Sequence, residues 1–199
     1  MVVLAKALSG GLMPVSAVLM TDKVYKSVYS SLKRAIVHTS TFSENSLSLR
    51  AGLATLDVLE REKLGVRALQ LGEQFRQELR EALEPFEIVR EVRGMGMLSG
   101  VEFQPPKKLA LRALYEAFHK LHPAMFGQVV VMRMFREKNI LTQICGNSFM
   151  VLKAAPPLVV NEGQLDEFVI ALRDVVQLAD TSAAFWTEVL GLAKRAANI

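Results

Sequence analysis

From about residue 44 to residue 60 the chain carries an uninterrupted helical repeat, with Leu49, Leu53, Leu56 and Leu59 near three-to-four spacing. A helix of that length divides the chain, and the two sides read differently. Upstream, residues 2–5 read as the end of a buried strand, and Gly10-Gly11 with Pro14 marks a turn after it. A second short apolar run over residues 15–20 stops at Thr21-Asp22, a helix-cap pair. A short helix over residues 22–30 and a Ser/Thr-rich loop over residues 33–46 follow. Two such runs cannot build a sheet domain by themselves.

Downstream the pattern is denser. Val66, Leu69, Phe75, Leu79 and Leu83 form an apolar helical stripe that Pro85 ends. Residues 88–92 and 97–103 are strand-like, joined by Gly94-Met95-Gly96 as a tight antiparallel connection. Residues 108–121 and 126–138 read as helices, and 140–145 and 149–153 as short strands separated by Gly146-Asn147. Asn161 with Gln164 forms a capping-box pattern ahead of a helix whose Leu165, Phe168, Val169, Leu172 and Val176 share one face. Thr181 is expected to cap a last helix with Phe185, Val189 and Leu192 inward. The organisation is therefore a strand-and-loop opening, a long helix, and a compact α+β unit from about residue 61.

Composition narrows the function. With 51% hydrophobic and 22% charged residues the chain is a folded protein and not a disordered one. Its apolar stretches all fall short of the roughly 20 residues a membrane-spanning helix needs, so no membrane partner is expected. Cys145 is the single cysteine, which excludes an internal disulfide and fits a reducing, cytoplasmic setting; it reads as a small core residue. His38, His119 and His122 lack metal-ligand spacing, so no metal site is expected. The net charge of +4 is scattered, without the clustered basic and aromatic residues of a nucleic-acid surface.

Lys6 is the most informative single residue. At the end of a buried strand it would be partly desolvated, which disfavours the ammonium and frees the amine to attack carbonyls. Taken alone, a strand-terminal lysine also reads as a solvated charge. Its surroundings decide between the two. Ala5-Lys6-Ala7-Leu8-Ser9-Gly10-Gly11-Leu12-Met13-Pro14-Val15-Ser16-Ala17 closely resembles the lysine motif of class III aminotransferases, the ornithine and acetylornithine aminotransferase group. The resemblance implies that Lys6 forms the Schiff base with pyridoxal 5'-phosphate (PLP) and then shuttles the proton.

Three further segments extend the likeness. His38-Thr39-Ser40-Thr41-Phe42-Ser43-Glu44-Asn45 is similar to the family's His-x-Ser-Thr-Phe-Gly-Gly-Asn-Pro segment, which reaches the PLP phosphate of the neighbouring subunit. That implies Thr41, with Ser40 beside it, as cofactor-binding residues. The segment departs from the pattern with Ser43-Glu44 for two glycines and Ser46 for the proline; a carboxylate at Glu44 would repel a phosphate and is expected to point elsewhere. Residues 91–102 resemble the family's Val-Arg-Gly-x-Gly-Leu hairpin, read as structural. Val151-Leu152-Lys153-Ala154-Ala155-Pro156-Pro157-Leu158 resembles Leu-Arg-x-x-Pro-Pro-Leu, whose arginine grips a substrate carboxylate. Here Lys153 keeps the charge without the planar fork. With the apolar segment 125–135, this suggests a preference for an ω-amine or a bulkier apolar aldehyde.

The resemblance runs from residue 1 to about 180. It implies an α/β PLP-dependent transferase of fold type I in truncated form. Residues 1–60 would be the end of the large PLP-binding domain with its connecting helix, and residues 61–199 the C-terminal α+β small domain. It further implies a homodimer with a shared active site, moving an amino group between an amine or amino acid and an oxo acid or aldehyde. The family's glycine-rich phosphate turn, ring-stacking aromatic and pyridine-binding aspartate, which precede the lysine, are absent. The chain is therefore expected to be a fragment that binds PLP weakly and is inactive by itself. The alternatives are a catalytically dead interaction or oligomerisation fragment, and an aminomutase or decarboxylase of the same fold.

Overall fold

The computed structural model describes residues 1–121, 125–146 and 150–197. The chain divides into two compact units, Met1–Leu64 and Gly65–Ile199.

The first unit opens with β1 (Val2–Leu4), which pairs antiparallel with β2 (Ala17–Leu19) in the register Val2↔Leu19, Val3↔Val18 and Leu4↔Ala17. The expected strand is present, but its expected burial is not: every residue of β1 is exposed. The reason is topological, since β2 is its sole hydrogen-bonded neighbour and no third strand joins the ribbon among the described residues. Helix α1 (Asp22–Val28) begins after Thr21, which makes no side-chain cap bond. Helix α2 (Ser46–Arg61) starts two residues later than the apolar repeat suggested, because Asn45 Oδ1 accepts from the Ser48 N–H at 3.0 Å and fixes the first turn there.

The second unit holds the core. Helix α3 (Leu64–Leu83) is followed by the hairpin β3 (Val89–Met95) and β4 (Leu98–Phe103), then α4 (Leu109–Leu121), α5 (Phe126–Lys138), β5 (Gln143–Cys145), β6 (Val151–Ala154), α6 (Glu162–Thr181) and α7 (Ala183–Ala197). The strands form one antiparallel sheet in the order β3-β4-β6-β5. Alternation sends Ser99, Val101 and Phe103 of β4 and Leu152 and Ala154 of β6 into the core, and leaves Glu102 and Lys153 on the wetter face. The core is closed by Trp186, fully buried, whose Nε1–H donates to the Ala179 carbonyl at 2.8 Å while its ring meets Tyr115, Phe126 and Phe185.

The structure revises four details. The α3 stripe buries Ala68 and Leu71 in place of Val66 and Leu69, which are exposed, so its inward face is rotated in the first two turns. The hairpin turns at Gly96-Met97, because Met95 pairs with Leu98 and Gly94 lies within β3. Ser182, not Thr181, caps α7, accepting from the Phe185 N–H at 3.2 Å, while the Thr181 hydroxyl bonds back to Gln177 O inside α6. Cys145 is only half-buried, on edge strand β5. The capping box is present as drawn: Asn161 Oδ1 accepts from Gln164 N and Gln164 Oε1 from Asn161 N. His122, Asn147 and the Leu192 side chain lie outside the described residues.

Candidate active site

Lys6 stands at the junction of β1 and a single 3-10 turn, Lys6–Ser9. Its φ of 60° is in the left-handed region, which a side chain with a Cβ adopts only where the surroundings impose it. The loop that follows it is closely tied. Buried Ser9 locks the loop by donating from Oγ to the Met13 carbonyl at 2.5 Å and accepting from the Met13 N–H at 3.1 Å. Gly10 and Gly11 follow at φ 68° and 83°, where glycine carries no Cβ penalty. The loop rests on α2, where Gly52 is buried and a Cβ built on it would meet the Leu8 carbonyl and Val15 at ordinary van der Waals distance. The side chain of Lys6 is exposed, against the partial desolvation expected from a buried strand end. It forms no salt bridge with a described residue.

The second motif enters α2 from the same unit. Ser40 and Ser43 are tied to each other: Ser40 N–H donates to Ser43 Oγ at 3.1 Å, Ser43 N–H to Ser40 O at 3.0 Å, and the two hydroxyls lie 3.1 Å apart. Ser40 thus spends its polar groups locally. Thr41 is exposed, with its hydroxyl outside this pair. Glu44 takes φ 59°. The residue that replaces glycine in the motif therefore still adopts a backbone that glycine adopts freely, at a cost of roughly 1 kcal/mol or more.

Lys153 belongs to the second unit. It sits on β6 opposite Gly100 of β4 and Gln143 of β5, and its carbonyl accepts from Thr142 Oγ1 at 2.7 Å. Half-buried, it lines an open cleft of about 920 Å³ together with Thr142, Gln164, Glu167, Phe168 and Pro157. Arg67 of α3 fixes one wall: its guanidinium donates to the carbonyls of Leu158 and Val160, each at 2.5 Å. The apolar segment 125–135 does not line this cleft. Phe126, Val130, Val131 and Met134 are buried in the core, because α5 turns that face toward the sheet and α6.

Ser9 and Arg67 were not singled out from the sequence. Ser9 carries a local signal, as a hydroxyl before a glycine pair that closes a side-chain-to-backbone turn. Arg67 carries none, because its acceptors lie 91 and 93 residues away. Among the described residues no group of three or more His, Cys, Asp or Glu side chains can hold a metal ion, and no helix is long and apolar enough to cross a membrane.

Comparison with known proteins gives a consistent answer. The family model described as aminotransferase class-III matches residues 1–176. The mitochondrial ornithine aminotransferase of Arabidopsis thaliana is 33% identical over 179 residues, covering 89% of this chain and 33% of that protein. The diaminobutyrate–2-oxoglutarate aminotransferase of Rhizobium meliloti is 32% identical over 184 residues, covering 92% and 36%. Among solved structures, the ornithine delta-aminotransferase of Plasmodium falciparum superposes with a TM-score of 0.71 at 31% identity, over 89% of this chain and 40% of that one. The chain thus spans little more than a third of the length of the curated relatives it matches.

Proposed function

The chain belongs to the class-III aminotransferase family, and from that premise we propose that it carries the cofactor-bearing lysine and the substrate-facing cleft of a PLP-dependent aminotransferase. The reaction is reversible transfer of an amino group between an amine or amino acid and an oxo acid or aldehyde. In this reading the first unit is the end of the large domain, the second is the small domain, and two copies share the site.

The observation that carries the proposal is the backbone at Lys6. Lys6 stands at positive φ in a loop tied by a buried serine and followed by two left-handed glycines, with its amine exposed and unpaired among the described residues, so the backbone is set by the loop and the amine is free to react. Such a residue fits a carbonyl cofactor held covalently. Thr41, with its hydroxyl outside the Ser40–Ser43 pair, fits a phosphate contact better than Ser40 does. When bound, PLP supplies an electron sink that makes the substrate proton labile. Lys6 Nζ is the atom that would hold the cofactor and carry that proton. Lys153 meets the charged end of a substrate as a point charge instead of a fork, which disfavours a two-pronged grip on an α-carboxylate. As the chain spans little over a third of its relatives' length, the 199-residue chain alone is expected to bind PLP weakly and to turn over little or nothing.

The test is borohydride reduction of the PLP-treated chain followed by peptide mass spectrometry. The expected result is a pyridoxyl mass on Lys6 in clear excess over the exposed Lys23, Lys26 and Lys33. Equal labelling of all four, or its loss from Lys6 alone, would remove the proposal.

A further inference from the structure

One wall of the cleft in the second unit is irregular backbone, residues 156–160. It leaves β6 just after Lys153 and Ala154 and ends at Asn161, the cap of α6. Pro156 and Pro157 have no backbone N–H, so they offer a neighbour acceptors only. The Val160 N–H is used locally, donating to the Pro157 carbonyl at 3.0 Å. Val160 is buried in the core, but apolar packing is non-directional and does not orient a backbone. Hydrogen bonds to the carbonyls of this stretch have to do that.

Arg67 supplies them. Its Nη1 donates to the Leu158 carbonyl and its Nη2 to the Val160 carbonyl, each at 2.5 Å. Neither carbonyl has another donor among the described residues, and no described carboxylate pairs with the guanidinium. The planar guanidinium holds its N–H groups at a fixed spacing, so it grips two carbonyls at once; a lysine keeps the charge and loses the fork. Lys153 itself is fixed by other groups. Its strand is paired to β4 and β5, and Thr142 Oγ1 donates to its carbonyl at 2.7 Å. What Arg67 sets is therefore the wall that shares the cleft with Lys153. That matters because an ion pair to a single ammonium is weak in water and gains strength only where the surroundings exclude solvent.

We propose that Arg67 is a positioning residue of the cleft. By holding the Leu158 and Val160 carbonyls it keeps the wall closed beside Lys153, and so sets how tightly the cleft takes a carboxylate. It acts through the loop, as it does not line the cleft itself. The assignment rests on the reading of the cleft as substrate-facing, and is independent of Lys6.

The experiment titrates glutarate, as a plain carboxylate probe, into the ¹⁵N-labelled 199-residue chain and follows the Lys153 amide. Expected is a saturable shift that Lys153→Met removes. Arg67→Lys should weaken glutarate roughly fivefold or more and speed exchange of the Val160 amide about tenfold, with Leu152 on β6 unchanged. Pro157→Gly loosens the same wall without touching Arg67 and should weaken glutarate in the same direction; it decides the matter alone where Arg67→Lys does not fold. Unchanged affinity in these variants overturns the inference and leaves the cleft reading standing. Unchanged affinity in Arg67→Lys with loss in Arg67→Met also overturns it, since charge and not the fork would then act. Equally faster exchange at Val160 and Leu152 does the same, by making Arg67 a general stabilising residue. Absence of any Lys153-dependent shift in the unsubstituted chain removes the substrate-facing reading itself, and the role of Arg67 with it.

Discussion

At the scale of single residues, charge pairing on the sheet and along α3 gives the clearest handle. Glu102 accepts from Arg93 and from Arg90, and Glu73 from Arg76 and Arg80. The Arg93 hydrogen bond holds the Glu102 carboxyl below its ordinary range, and the Arg76 hydrogen bond does the same for Glu73. A carboxylate depressed in the folded state binds its proton more tightly when unfolded. Its stabilising contribution is therefore complete above the unfolded value of about 4.3 and is lost as pH falls through the lower folded value. The thermal midpoint of the second unit should drop as pH is lowered from about 5 to about 3. The Glu73→Gln/Glu102→Gln double variant should show a shallower drop in calorimetry. Identical slopes would mean that these pairs leave stability untouched.

At the scale of elements, the joint between α3 and the β3–β4 hairpin is set by backbone proximity. A Cβ built on Gly72 would lie 1.8 Å from the Gly96 carbonyl oxygen, the same oxygen that accepts from buried Arg76 at 2.5 Å. The approach is possible only because position 72 has no side chain. Gly72→Ala should push the hairpin off the helix and cost about 1–3 kcal/mol or more, the range of overpacking in a filled core. Gly65→Ala, on the same helix, meets no described atom within 4 Å and should gain up to about 1 kcal/mol from helix propensity. Urea unfolding of the two variants decides it: equal effects would show that the close approach is unimportant. The hairpin's own glycines are required separately: a Cβ on Gly94 would lie 2.2 Å from the Leu98 carbonyl oxygen, and Gly96 has φ 55°.

At the scale of the whole molecule, the two units differ in how much they bury. The second is built around Trp186, Phe75, Phe118 and Phe126, all essentially solvent-free, while the first leaves most of its apolar side chains in water. Local opening follows buried contact density. Limited trypsin digestion should cut first within residues 23–34, at Lys23, Lys26, Lys33 or Arg34, and leave a species containing the second unit. Loss of both units at one rate would contradict this.

The sequence by itself determined the local chemistry of the Asn161–Gln164 box and the Lys6 motif, which rest on neighbours within a few positions, while the Asn45 cap and the exact hairpin turn, equally local, were each placed slightly off by the apolar pattern alone. It also marked Thr41 and Lys153 by motif. What only the tertiary structure decided depends on residues distant in sequence. These include the Arg67 clamp on the cleft wall, the placement of the 125–135 apolar stretch in the core, and the rotation that buries Ala68 and Leu71 while exposing Val66 and Leu69. The exposure of β1 belongs here too, because an apolar run announces that a strand is made to be covered, while which chain covers it is settled by packing partners that no local pattern encodes.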